Sequence, residues 1–66
     1  MIHEIGVTAG DIWRYLEANG TTSLSQLKVK LDQPENLIIM GIGWLAREEK
    51  VVIEKSGRGY AVALRQ

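Results

Sequence analysis

The sequence predicts a mostly α-helical domain that ends in a small antiparallel β-hairpin. Three observations carry this expectation. Apolar residues recur at helical spacing in three segments between Ala9 and Leu45. A helix stop and a helix start are crowded into "LDQPE", Leu31 to Glu35, and two helices joined so tightly form a helix-turn-helix arrangement. Beyond Lys50 the period changes to alternation, with "SGRG" between two alternating runs, which is a hairpin signal. The expected order is helix, short strand, helix, turn, helix and two hairpin strands, α-β-α-α-β-β.

The first helix is expected over residues 9–19. Thr8 is a plausible N-cap with Asp11 three residues on, close to a capping box. Ala9, Ile12, Trp13 and Leu16 form one apolar stripe, and Gly20 is a good stop because glycine takes the left-handed conformation at little cost. Ile2, Ile5 and Val7 upstream read as an extended arm over the core. Thr21 and Thr22 suit a very short strand. Ser23 with Gln26 three residues later reads as a second capping box. Leu24, Leu27 and Leu31 then give a short second helix over 24–31, with Lys28 and Lys30 largely off the apolar face.

The third helix is expected over 34–49. Asp32 and Glu35 read as an N-cap pair, and Pro34 suits the first turn, where its missing N–H costs nothing. At about 100° per residue, Leu37, Ile38, Gly41, Trp44 and Leu45 share the side that packs on the first two helices. Gly41 and Gly43 each lower helix propensity by about 1 kcal/mol relative to alanine; Gly41, on the packed side, allows a close helix crossing. Trp13 and Trp44 read as core. The hairpin is expected over 51–64, with Ser56 to Gly59 at its tip. Tyr60, Val62 and Leu64 share one face, and Tyr60 is expected to pack against the third helix.

Bulk properties narrow the function. With 66 residues the chain is one domain, 1–66, and folding buries only about 60% of the unfolded surface. Cysteine is absent, which removes disulfides and thiolate metal sites. The single His3 cannot make a zinc site alone. Self-association is the remaining route to added stability. Eight basic side chains balance eight acidic ones, which argues against strong nonspecific DNA affinity, since phosphate neutralisation supplies most of that affinity. The chain shows neither a signal-peptide pattern nor a run of about 18 apolar residues, so a cytoplasmic protein with no membrane partner is the expectation. No cofactor or small-molecule ligand is implied, and no catalytic constellation is present: a triad needs Ser, His and an acid brought together, and a phosphate loop needs a following helix and a Lys at set spacing, which "GRG" lacks.

The capped second helix at Ser23, the turn at Asp32 to Glu35 and the passage "WLAREEKVVIEKSGRGY" together resemble the winged helix-turn-helix family over nearly the whole chain. The hairpin would be the wing. More narrowly, the chain is similar to small stand-alone bacterial winged-helix proteins of unassigned function. Lys50 stands where glycine is common in the family. In DNA-binding members the outward face of the third helix meets base edges in the major groove, and a wing-tip Arg or Lys reaches the minor groove.

That resemblance raises the question of what the third helix touches. Pro34 to Ala46 contains no Lys or Arg. The outward face offers Gln33, Asn36, Ile39, Met40, Gly43 and Arg47, and only Gln33, Asn36 and Arg47 carry the hydrogen-bonding ends that base reading needs. Two destinations stay open for this face. As a protein interface it would use Asn36, Ile39, Met40, Gly43 and Arg47, with a second copy of the chain as partner, because an exposed apolar patch marks an interaction site. Removing Ile39 and Met40 from water would contribute roughly 1.5–3 kcal/mol each. As a DNA-binding surface it would use Lys28, Lys30, Gln33, Asn36, Arg47, Lys55 and Arg58, with Arg65 nearby in sequence; Arg58, between two glycines, is the strongest of these hints. A third outcome is that the N-terminal arm covers Ile39 and Met40, or that the helix phase is one residue off.

Overall fold

The computed structural model describes residues 1–65; Gln66, the last residue of the expected domain, lies outside them. The elements follow the order α1 (Ile2–Asn19), β1 (Thr22–Ser23), α2 (Leu24–Lys30), α3 (Glu35–Arg47), β2 (Val51–Ser56) and β3 (Gly59–Leu64). This is a mostly α domain with a small antiparallel sheet, a winged helix-turn-helix, as the sequence predicts.

The largest departure is at the N-terminus. The expected arm is helical, so α1 begins at Ile2 rather than Ala9. Thr8 is not a cap. It lies inside the helix, is buried, and its hydroxyl oxygen has no hydrogen-bond partner among the described residues. The stripe Ala9, Ile12, Leu16 continues upstream through Thr8 and Ile5 at the same spacing, and packing of that stripe on α3 outweighs the weak propensity of Gly6 and Gly10. Asp11 caps nothing; its carboxylate pairs with Arg14 at 2.6 Å. Met1 is the N-cap, and its ammonium lies 2.9 Å from Glu4, holding that carboxyl below the ordinary glutamate range.

The second helix starts as its cap predicts. Ser23 Oγ accepts from the Gln26 N–H at 3.1 Å. It ends at Lys30, one residue before the expected Leu31, which is its C-cap. The turn to α3 differs from the capping prediction. Pro34 is the N-cap, with no side-chain cap, and Asp32 takes no capping role. Glu35 reaches back to Lys28 across the turn, at 3.4 Å.

α3 ends at Arg47, before the expected Glu49. Glu49 takes a left-handed φ of 59°. Its N–H donates to the Ala46 carbonyl at 3.0 Å and the Lys50 N–H donates to the Leu45 carbonyl at 2.9 Å, the paired bonds of a Schellman stop. The residue in the position that favours glycine is therefore Glu49, not Lys50.

The three strands form one antiparallel sheet in the order β1-β3-β2. Ser56 pairs with Gly59, so the wing turn is the two-residue Gly57-Arg58 loop. Gly57 has φ 59°, and positive φ at the first central position alone is the II′ pattern that matches strand twist. Val51, Ile53 and Lys55 share a sheet face with their partners Leu64, Val62 and Tyr60. The lower part of this face, Val51 and Val62, joins Ile12, Leu16, Leu27 and Ile38 in the core.

On α3 the buried positions are Ile38, Gly41, Ile42 and Leu45. Trp44, expected in the core, is 42% exposed, and Ile42 occupies the place it was given. The stripe is centred on Ile38 and Leu45, which turns Trp44 to a flank. Gly41 is the close crossing: a Cβ there would stand 3.2 Å from the Ala9 nitrogen and 3.0 Å from Ile12 Cδ1. Trp13 is half-buried beside the core.

Candidate functional site

The face in question is the outward side of α3 and the part of the wing beside it. Ile39 and Met40 are 47% and 37% exposed. Asn36, Gly43 and Arg47 are exposed as well. No N-terminal arm crosses them, because that segment belongs to α1.

The wing extends this surface. Past Val51 and Val62 its inner sheet face leaves the core, and Ile53 and Tyr60 emerge at 41% and 46% exposure. They stand across an open groove of about 280 Å³ from Ile39, Ile42 and Gly43; Leu24 of α2 and Val62 complete the lining. All seven side chains or backbones presented there lack a charge. Tyr60 therefore lines a groove shared with α3 rather than burying itself against the helix. The Lys55 ammonium lies 5.0 Å from the Tyr60 ring centre, close enough for a cation–π contact. The sequence gives no local sign of this groove, because it depends on the β2–β3 register and on where the wing leaves the core.

The basic candidates are dispersed. Lys28 is paired with Glu35. Gln33 is turned toward α1, its amide 3.4 Å from Asp11 Oδ2. Lys55 lies over Tyr60, and Arg65 is 3.5 Å from Glu49. Lys30, Arg47 and Arg58 are exposed. Asn36 and Arg47 share a face with Ile39, Met40 and Gly43, whereas Arg58 stands alone at the wing tip. Among the described residues no group of three His, Cys, Asp or Glu side chains is placed to hold a metal ion, and no helix is long and apolar enough to cross a membrane.

A helix-turn-helix made by α2 and α3, followed by a β-hairpin that pairs with a short strand before α2, defines the winged helix-turn-helix class. The chain belongs to that family: the family described as "Winged helix-turn-helix domain (DUF2582)" matches residues 1–64. It is also similar to the uncharacterized protein MJ1608 of Methanocaldococcus jannaschii, 40% identical over 65 residues, which span 94% of this chain and 91% of that protein.

Proposed function

We propose that this chain is a non-enzymatic protein-interaction module that associates with a second copy of itself through Asn36, Ile39, Met40, Gly43 and Arg47, in a role in transcription regulation within the cytoplasm. The observation that carries the reading is the exposed apolar surface formed by Ile39, Met40 and Gly43 on the outward face of α3 and by the groove that face shares with Ile53 and Tyr60. A soluble domain gains by covering such a patch. A base-reading helix would instead present hydrogen-bonding ends there. Sedimentation equilibrium over a range of concentrations tests the reading. The expected result is a dimer that Ile39→Glu dissociates, because a carboxylate cannot be buried unpaired. A monomer at every concentration removes the reading.

A second reading, a DNA-binding regulator, is favoured by one observation: Arg58 is exposed at the end of a two-residue turn, projecting from the wing. Lys30, Lys55, Lys28, Asn36, Arg47 and Gln33 would supply the remaining contacts. Binding would weaken steeply with salt and would be lost in Arg58→Ala. Failure to bind mixed duplex fragments at low salt would refute it.

A further inference from the structure

The outward side of α3 carries six exposed residues: Asn36, Ile39, Met40, Gly43, Trp44 and Arg47. On a helix turning about 100° per residue they fall into three pairs, Met40 with Gly43, Ile39 with Trp44, and Asn36 with Arg47. All three pairs share one midpoint, between Gly41 and Ile42. The members of each pair lie equally far along the axis from that midpoint, and equally far to either side of the outward direction. A two-fold axis between antiparallel helices sets the members of each pair at one height, so the pairs near the outward direction, Met40 with Gly43 and Asn36 with Arg47, face one another, i meeting j of the partner and j meeting i, whereas Ile39 and Trp44, about 70° to opposite sides, lie on opposite edges of the seam. Any helix supplies the geometry. The chemistry of the pairs is particular to this one.

Resting on the self-association read above, we propose that two copies pair antiparallel through α3, with the partner's Met40 seated at Gly43 and the partner's Arg47 beside Asn36. Gly43 has no atom within 4 Å of the place its Cβ would occupy. It is an open notch opposite an unbranched, adaptable side chain. Ile39, a wall of the apolar groove with Ile53 and Tyr60, and Trp44, 42% exposed, then flank the seam on its two edges, each near its own copy in the partner.

Charge selects the antiparallel sense. Glu35, in the first turn of α3, is 63% exposed although it pairs with Lys28, and Arg47 stands at the other end. Antiparallel copies place each Arg47 beside the partner's Asn36, at the end where the partner's Glu35 lies on the flank. Parallel copies would set Arg47 beside Arg47 and would align the helix dipoles unfavourably.

Cross-linking tests the register directly, because the chain has no cysteine. Asn36→Cys and Arg47→Cys are prepared separately, mixed, and treated with a short bismaleimide. The expected product is the mixed dimer, with little linkage in either variant alone, since like positions would lie about 16 Å apart along the helix. Linkage mainly within the single variants overturns the proposal. Absence of any linkage in solutions that sediment as dimers also overturns it, while leaving self-association standing; a monomer removes both. An exchange of sizes gives a second arm. Gly43→Met alone weakens association by more than about tenfold, and Met40→Gly with Gly43→Met restores most of it, because the knob and the notch have changed places. Failure of that rescue, with the double variant folded by circular dichroism, counts against the pairing.

Discussion

Two glycines two residues apart in α3 should respond to the same substitution with opposite signs. Gly43→Ala adds a methyl group where nothing lies within 4 Å. Only the intrinsic term acts, and an interior helical Gly→Ala change gains about 0.5–1 kcal/mol. Gly41→Ala carries the same intrinsic gain, but its Cβ would stand 3.0 Å from Ile12 Cδ1, 3.2 Å from the Ala9 nitrogen and 3.4 Å from Thr8 Cγ2. The Ala9 contact is backbone and cannot rotate away. Ile12 is fully buried, with no exposed surface to retreat into. Either α1 and α3 separate by a few tenths of an ångström along their crossing or Ile12 leaves its rotamer, and overpacking of this kind costs about 1–3 kcal/mol. Gly41→Ala should therefore be about 1 kcal/mol less stable than the wild type, and the two variants should differ by about 2 kcal/mol. For a domain of this size that is a separation of roughly 10 °C in melting temperature. Urea unfolding, followed by tryptophan fluorescence at several protein concentrations to separate folding from association, measures it. If Gly41→Ala proves as stable as Gly43→Ala, the close crossing is not where the structure puts it.

Three further outcomes follow from single residues. Thr8→Val should stabilise the fold by about 1 kcal/mol, since it replaces a buried hydroxyl that has no partner with a methyl of similar shape; a loss of stability in thermal unfolding would mean that the hydroxyl is bonded. Glu49→Gly should stabilise by roughly 0.5–1 kcal/mol by relieving the left-handed φ of 59°, a gain only slightly offset by the exposed contact to Arg65; an unchanged or lower urea midpoint would refute it. Ser23→Ala should cost about 1 kcal/mol, as loss of the Ser23 side-chain bond to the start of α2, and helix-start amides from Leu24 to Gln26 should exchange faster with solvent if the cap acts there.

The sequence is informative where structure is locally determined. The Ser23 cap needs only Gln26 three residues on. The wing turn needs only glycines between alternating runs. Gly41 shows its role because the stripe around it is strong. Misreadings arise where tertiary contacts decide. Thr8 and Asp11 imitate a cap, yet the first seven residues have helical spacing of their own that is completed by α3. Trp44 shows how little phase error matters to the fold and how much to the surface: turning the stripe by about half a residue's rotation exchanges it with Ile42 and moves a large aromatic to the exterior. Lys28 and Gln33 look like free phosphate or base contacts in sequence. Their partners, Glu35 and Asp11, lie on other elements and become visible only once the helices are packed. Ile39, Met40, Gly43 and Arg47 fall outward as the periodicity predicts, but the wing groove that adjoins them is not encoded in any one segment.

The two readings of this face are linked through α3, and that linkage gives a further test. If self-association buries Ile39, Met40 and Gly43, a duplex that enters by the same helix face must compete with the second copy, and each ligand must weaken the other by the same factor. A duplex held only by Arg58 and its wing neighbours has no such conflict, because the wing tip lies beyond the groove. Gly43→Met separates these cases without adding charge that would itself repel phosphate. Should this variant dissociate the dimer and raise affinity for mixed duplex, α3 reads DNA as a monomer and pairing is inhibitory. Should affinity stay the same while Arg58→Ala abolishes it, DNA is held by the wing and α3 serves protein contact. The balanced charge of the chain and the scatter of its exposed cations favour the second outcome, since α3 between Pro34 and Ala46 contributes no positive group with which to hold a phosphate.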